Sequence, residues 1–316
     1  MPRYDYSSMG FITYDCLGWP FTEVPPGGGT VFIDELTLAV SGAAGTAAIA
    51  AAKMGVKTLA VGGVGQDIMG DWVLERLKHF GVDTWAMQRK PGWRTSSSIV
   101  LTRADGSRPA LHMHGATKDF IVTEDMYARV TDCKVFHAGG IGLTEAMDKG
   151  GHSAKVMKAA QAAGAKTTVD VFAGSPKDLP AVAAVLPYTD YFMPSIEEAQ
   201  ALCGLSDHGD TAKYFLDMGV FACVLTLGGD GAYYHDRTGL KFRVPAFDVH
   251  VKCTCGCGDA FNAGFATGLV KGMNPEDTVR FAIATSGLNA TGLGSQAGVE
   301  SFEHTLNFMK TTKTRG

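Results

Sequence analysis

Short apolar runs alternate with amphipathic segments of helical length along most of the chain. In the C-terminal two thirds, predicted strands at 135–138, 167–171, 191–193 and 223–227 alternate with predicted helices at 145–163, 196–203 and 210–218. Earlier in the chain the same alternation gives a strand at 9–14, an alanine-rich helix at 42–54, a strand at 57–61 and an amphipathic helix at 71–80. Strands that alternate with helices in this way are typical of an α/β fold with a mostly parallel sheet.

Two segments do not follow this alternation. Residues 31–40 and 94–114 show the period of two that is typical of a half-buried strand, and Asp105-Gly106 predicts a hairpin turn inside the second segment. We therefore expect 16–40 and 93–114 to form a separate small sheet that acts as a lid over a pocket. Since the chain has no internal repeat and no proline-rich linker, we predict one domain over 1–316.

Composition narrows the class of protein. The formal charge of −4 in 316 residues gives no basic surplus, so we expect neither nucleic acid nor a membrane surface as a partner. The chain begins without a long apolar run, and its seven cysteines, an odd number, favour free thiols in a reducing cytoplasm. Its 40 glycines, well above the usual share of about 7%, indicate many tight turns and close backbone approaches, as in nucleotide enzymes.

The clearest chemical signal is a glycine-rich turn that leads directly into an apolar helix. Gly256, Cys257 and Gly258 precede Asp259, and the predicted helix continues to about residue 270. Backbone N–H groups and the positive end of a helix dipole would point at one spot there and stabilise an anion. The same field keeps Asp259 ionised, which suits a general base, although an aspartate at this position is also a common helix cap.

Alternating cysteines in the same segment raise the question of a metal site. Cys253, Cys255 and Cys257 lack a second cysteine pair at the spacing that zinc sites use. We favour small apolar side chains that line the loop over metal ligands.

Six segments, in order along nearly the whole chain, resemble the ribokinase-like (PfkB) family of carbohydrate kinases. The segment 256–261 resembles the family's GAGDAF signature. The other five are 10–15, 41–48, 61–70, 194–199 and 226–231. The resemblance implies a three-layer α/β/α fold with a mostly parallel central sheet and a small β-sheet lid.

The resemblance also implies an ATP-dependent kinase and assigns roles to its residues. Asp259 would deprotonate a sugar hydroxyl that attacks the γ-phosphate of ATP, and the backbone of Gly256, Cys257 and Gly258 would form the anion hole. Glu198, with Ser195, would position Mg²⁺ through water. The remaining implied contacts are Thr226, Gly228 and Gly231 with the nucleotide, and Asp15, Gly42 and Thr46 with the sugar.

Several positions depart from the family pattern. Thr46 and Ser195 each replace an asparagine, and Phe172 stands where many members carry one. Cys253 replaces the aspartate that helps to hold a monovalent cation, and Cys255 replaces a threonine, so the resemblance supports K⁺ activation only weakly. We therefore expect a working kinase with an unusual substrate or a weakened ion dependence.

The sequence leaves three functions open. The first is a kinase for a ketose, a pentose or a sugar acid; the second is a nucleoside kinase of the same fold; the third is a non-catalytic sugar- or nucleotide-binding regulator. A Rossmann dehydrogenase is excluded because Ile68 breaks the G-x-G-x-x-G spacing. For His112, His114 and Arg108 we favour a solvated lid face over substrate contacts. The resemblance is compatible with a homodimer through the lid, and the sequence does not decide it.

Overall fold

Two β-sheets organise the residues that this computed structural model describes, 1–172 and 174–315. The strands in chain order are β1 (Tyr4–Gly10), β2 (Thr13–Trp19), β3 (Glu35–Ser41), β4 (Thr58–Gly65), β5 (Asp83–Lys90), β6 (Ser97–Leu101), β7 (Ala110–Met113), β8 (Cys133–Ile141), β9 (Lys166–Val171), β10 (Tyr191–Phe192), β11 (Ala222–Thr226), β12 (Ala232–Asp236) and β13 (Lys241–Val244).

Helices separate most of these strands. They are α1 (Ala43–Lys53), α2 (Ile68–His79), α3 (Glu124–Val130), α4 (Glu145–Lys149), α5 (His152–Ala162), α6 (Leu179–Val185), α7 (Ile196–Cys203), α8 (His208–Asp217), α9 (Cys257–Val270), α10 (Pro275–Ala290) and α11 (Phe302–Thr311). Within the described ranges, no helix has the length and apolar character needed to cross a bilayer.

The larger sheet has nine strands in the order β13-β12-β11-β10-β9-β8-β1-β4-β5. It is parallel from β5 to β11, and the pairings of β12 with β11 and with β13 are antiparallel. Since side chains alternate between the two faces of a strand, Leu225 packs into the core under α5 to α8, and Val224 packs into the core under α9 and α10. Helices thus cover both faces, which confirms the predicted three-layer α/β/α fold.

Helix α9 lies in the interior of the molecule because two of its glycines allow a neighbouring helix to approach. A Cβ atom on Gly264 would lie 2.5 Å from Oγ1 of Thr285, and one on Gly268 would lie 2.9 Å from Cγ2 of Thr278, both on α10. The close packing fixes the direction of α9 and therefore the position of its N-terminus.

The smaller sheet has the order β3-β2-β6-β7, so the predicted separate small sheet is confirmed, and it has four strands. Strand β2 differs from the prediction, which placed Asp15 at the end of a single strand at 9–14. β1 ends at Gly10, with φ +140°, and the chain then enters β2. Asp15 consequently lies inside the small sheet. Position 10 requires a glycine, because a Cβ there would overlap the carbonyl oxygen of Gly139.

Three other boundaries also differ. The predicted helix at 145–163 is two helices, α4 and α5, separated by Gly150 and Gly151, of which Gly151 has φ +64°. The strand predicted from residue 31 begins at Glu35. The strand predicted at 57–61 continues to Gly65. The predicted single domain over 1–316 stays a prediction, and it includes positions 173 and 316, which lie outside the described residues.

Candidate active site

The anion loop, residues 256–258, turns into α9 through a left-handed glycine. Gly256 has φ +72°, and a Cβ there would lie 2.8 Å from Oγ of Ser295 and 3.1 Å from Cγ2 of Thr46. The first N–H groups of a helix have no partner within the helix, so those of Gly258 and Asp259 are available to an anion in the cleft. The N–H of Cys257 instead donates to the carbonyl oxygen of Thr254 at 3.3 Å.

A side chain from α10 holds this loop in place. Nδ2 of Asn289 donates to the carbonyl oxygen of Cys255 at 2.7 Å, and its Oδ1 accepts the N–H of Gln296. Ser295 and Ser41 share a hydrogen bond of 2.7 Å between their hydroxyl oxygens. Sequence reasoning missed Asn289, because no local motif shows that it meets a loop 34 residues earlier.

Asp259 lies in the first turn of α9, at the floor of the cleft. Burial is the largest influence and raises the pKa of its carboxyl group to about 6. The Arg108 guanidinium and the Thr46 hydroxyl lower this pKa, whereas the carboxylates of Glu198 and Asp15 raise it. A carboxylate with a pKa near 6 is ionised at neutral pH and is a better proton acceptor than an ordinary aspartate.

A second acidic residue, Asp170 at the end of β9, faces the same space. Its burial, and then the charges of Glu198 and Asp259, raise the pKa of the Asp170 carboxyl group well above its usual range. No sequence motif marks Asp170, although it lies near the carboxyl end of a parallel strand, where α/β folds bind ligands.

Ser195 and Glu198 form a capping box at the start of α7. Oγ of Ser195 accepts the N–H of Glu198 at 3.2 Å, and Oε2 of Glu198 accepts the N–H of Ser195 at 3.1 Å and its hydroxyl at 2.8 Å. These hydrogen bonds fix the carboxylate where its charge acts on both Asp170 and Asp259. Among the described residues, no three His, Cys, Asp or Glu side chains are close enough together to bind one metal ion directly.

The predicted nucleotide contacts line one cavity of about 210 Å³ beside the anion loop. Thr226, Gly228 and Gly231 line it together with Cys257 and Gly258 of the anion loop. Gly231 has φ +95°, and a Cβ there would overlap the carbonyl oxygen of Val244, so a glycine is required at this turn. The cavity thus connects the nucleotide turn with the anion loop.

The three predicted sugar contacts lie on different elements: Asp15 lies in β2 of the small sheet, whereas Gly42 precedes α1 and Thr46 lies in α1, next to Gly256. Cross-strand pairing places Asp15 beside Ser98, and Ser98 beside His112. Asp15 accepts the Thr13 hydroxyl at 2.9 Å, and burial raises the pKa of its carboxyl group. Ser98 Oγ and His112 Nδ1 are 3.1 Å apart.

Gly42 packs against Phe11, whose ring lies beside the histidines of the small sheet. A Cβ on Gly42, with φ +81°, would lie 2.5 Å from the carbonyl oxygen of Phe11. The Phe11 ring contacts the rings of both His112 and His114, at centroid distances of 5.3 and 6.0 Å. The preference for solvated histidines therefore misses the contacts of both rings with Phe11 and the charge interaction of His112 with Asp15, although His112 is exposed.

The hairpin between β6 and β7 reaches the anion loop. Thr254 donates its hydroxyl to the carbonyl oxygen of Gly106 at 3.2 Å, and Gly106, with φ +83°, lies against Val251. Arg108, on the same hairpin, lowers the pKa of Cys257 as well as that of Asp259. It is exposed, as expected of a lid face, but its charge acts on the site.

Comparison with known proteins gives one consistent family. The family model described as pfkB family carbohydrate kinase matches residues 22–301. The deoxyribokinase of Salmonella typhi is 27% identical over 290 residues, which cover 89% of this chain and 91% of that protein.

Solved structures show the same fold. The crystal structure of a putative ribokinase from Agrobacterium tumefaciens superposes with a TM-score of 0.84 at 22% identity and covers 97% of both chains. A putative ribokinase II from E. coli, solved in complex with ATP and Mg²⁺, superposes with a TM-score of 0.81 at 22% identity and covers 97% of this chain and 99% of that one. With the family model matched over most of its length, this chain belongs to the pfkB family of carbohydrate kinases and is an ATP-dependent kinase.

Proposed function

We propose that Asp259 is the general base of this kinase. A sugar hydroxyl transfers its proton to the Asp259 carboxylate as its oxygen forms a bond to the γ-phosphorus of ATP. The bond from that phosphorus to the oxygen bridging the β- and γ-phosphates breaks, and ADP leaves with the electron pair. The observation that carries the proposal is the carboxylate with a pKa near 6 at the N-terminus of α9, between the nucleotide cavity and the sheet that bears Asp15.

The anion loop supplies the electrostatic part of the reaction. Backbone N–H groups at the start of α9 would hold the charge that develops on the transferred phosphoryl group. Bound Mg²⁺ would neutralise phosphate charge, and carboxylate oxygens are the ligands that it prefers. Glu198 and Asp170 fit that role, because they lie close enough together for the charge of Glu198, after burial, to raise the pKa of the Asp170 carboxyl group beside Asp259. Since no three such groups converge in the described residues, Mg²⁺ would be held through water, with Ser195 orienting Glu198.

We propose that potassium dependence is weak. Cys253 Sγ accepts the N–H of Cys255 at 3.3 Å and lies 3.6 Å from the Thr102 hydroxyl. A thiol satisfied in this way lacks the carboxylate oxygens that a hard monovalent cation prefers.

The acceptor that suits the pocket is a small neutral sugar, such as a pentose or a ketose. Asp15 is a strong acceptor for hydroxyl groups, and Ser98 and His112 extend the same polar face. Asp15 and Asp259 place two negative charges around the pocket, which disfavours the carboxylate of a sugar acid. The pfkB relative named deoxyribokinase supports a five-carbon substrate.

Measurement of ADP release tests this proposal. The purified protein would be assayed with Mg·ATP, with and without K⁺, against pentoses, ketoses, sugar acids and nucleosides, with Asp259→Asn as the inactive control. We expect turnover with a neutral sugar and little change with K⁺. A preference for sugar acids or nucleosides would overturn the substrate proposal, and binding without turnover by the folded protein would favour the non-catalytic regulator.

We also propose that the kinase is a homodimer through the outer face of the small sheet. Strand pairing aligns Leu38, Cys16, Ile99 and Leu111 in one row across all four strands, and Leu38, Ile99 and Leu111 are exposed. The opposite face of the sheet faces the substrate cleft. The exposed apolar row on the outer face can therefore pack against the same row of a second copy, as a two-fold symmetric interface requires.

Sedimentation velocity would test the dimer. Leu38→Lys should shift the protein to a monomer, whereas Leu240→Lys should not, because Leu240 is equally exposed, at 44% against 43% for Leu38, but lies after β12. A monomeric wild-type protein would overturn the proposal.

The seven free cysteines of the described structure also support a reducing, cytoplasmic location.

A further inference from the structure

A second cavity, of about 250 Å³, lies away from the nucleotide cavity and shares no lining residue with it. It is enclosed by β3, by α1 and α2, and by the loop at 293–297 that follows α10. Since a water molecule occupies about 30 Å³ in the liquid, the space suits a small organic ligand rather than a few waters.

Two cations face this cavity without a carboxylate partner. Lys53 and Arg76 both line it, and in the part of the chain that the structure describes neither side chain forms a salt bridge. The Arg76 guanidinium lies 4.8 Å from the ring centre of Phe80 and 5.9 Å from that of Trp72, and Lys53 Nζ lies 5.2 Å from the ring centre of Phe80. Burial, and then the charge of Arg76, lower the pKa of Lys53, whereas Glu300 raises it. An anion bound between the two cations would relieve their mutual repulsion.

The wall opposite Arg76 is under backbone strain. Gln296 has φ +60°, and it is the only non-glycine residue in the described ranges with a positive φ. Lys53 Nζ donates to the carbonyl oxygen of Gln296 at 2.9 Å and to that of Val299 at 2.8 Å. Strained conformations persist where surrounding contacts hold them and are concentrated at binding sites.

Hydrogen bonds connect Gln296 to the anion loop. The N–H of Gln296 donates to Oδ1 of Asn289, whose Nδ2 donates to the carbonyl oxygen of Cys255 and lies 3.4 Å from Sγ of Cys257. A change in the hydrogen bonds of Lys53 can therefore reach the anion loop through Gln296 and Asn289.

Strand β3 completes the site. It is an edge strand, paired only with β2, so alternate backbone groups along its free edge are available to a ligand. Gln296 Nε2 already uses one of them, the carbonyl oxygen of Val40, at 2.6 Å. Two cations, free backbone donors and the aromatic rings of Trp72 and Phe80 together fit a small ligand that carries a phosphate group.

We propose that this cavity is a regulatory site for a small phosphate-bearing ligand, which acts on the anion loop through Lys53, Gln296 and Asn289. The phosphate would lie between Arg76 and Lys53. Ligand contact with Lys53 would redistribute its hydrogen bonds to the strained carbonyl and so shift the loop that holds the transferred phosphoryl group.

Calorimetric titration tests the binding, and it does not depend on the proposed mechanism. Inorganic phosphate, pyrophosphate, ribose 5-phosphate and AMP would be titrated into the full chain with Mg²⁺ and a non-hydrolysable ATP analogue present, so that the anion loop is occupied. We expect one saturable site for at least one of them, with affinity lowered about ten-fold or more by Arg76→Gln, since hydrogen bonds to charged groups are strong. Lys78→Gln, on the exposed face of the same helix, should leave the affinity unchanged. The probe that binds tightest separates a free phosphate from a sugar or nucleotide ester.

Two results would overturn the proposal. One is the absence of a second site in the wild-type protein; the other is an equal loss of affinity in Arg76→Gln and Lys78→Gln, which marks non-specific ion binding. Regulation is tested with the sugar that the protein phosphorylates: saturating ligand should change kcat in the wild-type protein, and Lys53→Met should bind the ligand more weakly and lose the change. An unchanged kcat at saturation, with binding intact, would overturn the regulatory role, while a failure of Asp259 as general base would leave the binding result standing.

Discussion

The anion loop and the small sheet face the same cleft, but the chain builds them in different ways. The loop presents contiguous backbone groups, fixed by the left-handed turn at Gly256 and by the start of α9. The sheet presents side chains from separate strands, such as Ser98 and His112, which are 14 residues apart and meet only through strand register. Substitutions in the anion loop should therefore change kcat, and substitutions in the small sheet should change the KM for the sugar.

Replacement of Asp259, the proposed base, should have the largest effect. Asp259→Asn keeps the shape of the side chain but removes the proton acceptor, so kcat should fall about 10³-fold, within the usual range for general-base catalysis. ATP binding and the thermal unfolding midpoint should change little. Asp277→Asn, an exposed residue in the first turn of α10, is the matched control and should retain full activity. A variant at position 259 with more than a tenth of the wild-type kcat would remove this residue from the mechanism.

Distortion of the anion loop should have the second-largest effect on kcat. Gly256→Ala places a Cβ 2.8 Å from Oγ of Ser295 at a left-handed φ, so the loop must move, and kcat should fall about 10²-fold. Gly272→Ala is matched in conformation, with φ +72° at the other end of α9, but its Cβ would meet open space. Both variants carry backbone strain, so both should lose some thermal stability, and only the first should lose activity. Equal kcat values in the two variants would show that the loop geometry is not critical.

The small sheet should respond differently. Asp15→Asn removes a charged acceptor for sugar hydroxyls, so the KM for the sugar should rise about ten-fold while kcat changes by a smaller factor. The KM for ATP should stay constant, because Asp15 lies across the cleft from the nucleotide cavity. Asp105→Asn, on the exposed turn of the hairpin, serves as the control. If kcat fell and the KM for the sugar did not change, the proposed division between loop and sheet would be wrong.

The same contrast explains what could be predicted from the sequence. The turn at 256–258 and Asp259, the proposed base, are adjacent in the chain, so one short segment predicts that they meet. Arg108, Asp170 and Asn289 come to the site from separate elements, and no local pattern of residues reports that they converge. Asn289, for example, meets the loop only because α10 packs on the glycines of α9.

The ends of strands and helices show a related limit of prediction from the sequence. The apolar pattern at 9–14 is continuous, so it predicts one strand, whereas β1 ends at Gly10, where φ is +140°, and Asp15 lies in the other sheet. Gly150 and Gly151 are visible in the sequence, but the helical pattern on both sides of them favoured one helix. The overall order of strands and helices was predictable, because it depends on hydrophobic periodicity rather than on contacts between distant segments.

Arg108 joins the two regions and should give the smallest effect. With the pKa of Asp259 near 6, activity should rise with pH through that value, because only the ionised carboxylate accepts the proton. The Arg108 charge favours the ionised form, so Arg108→Gln should move this acidic limb of kcat/KM to higher pH and leave the rate at pH 8 nearly unchanged. Arg103→Gln is the control, because Arg103 bonds to Ser107 on the same hairpin and does not act on Asp259. A pH profile that stays fixed in Arg108→Gln, or moves equally in both variants, would show that the lid charge does not reach the base.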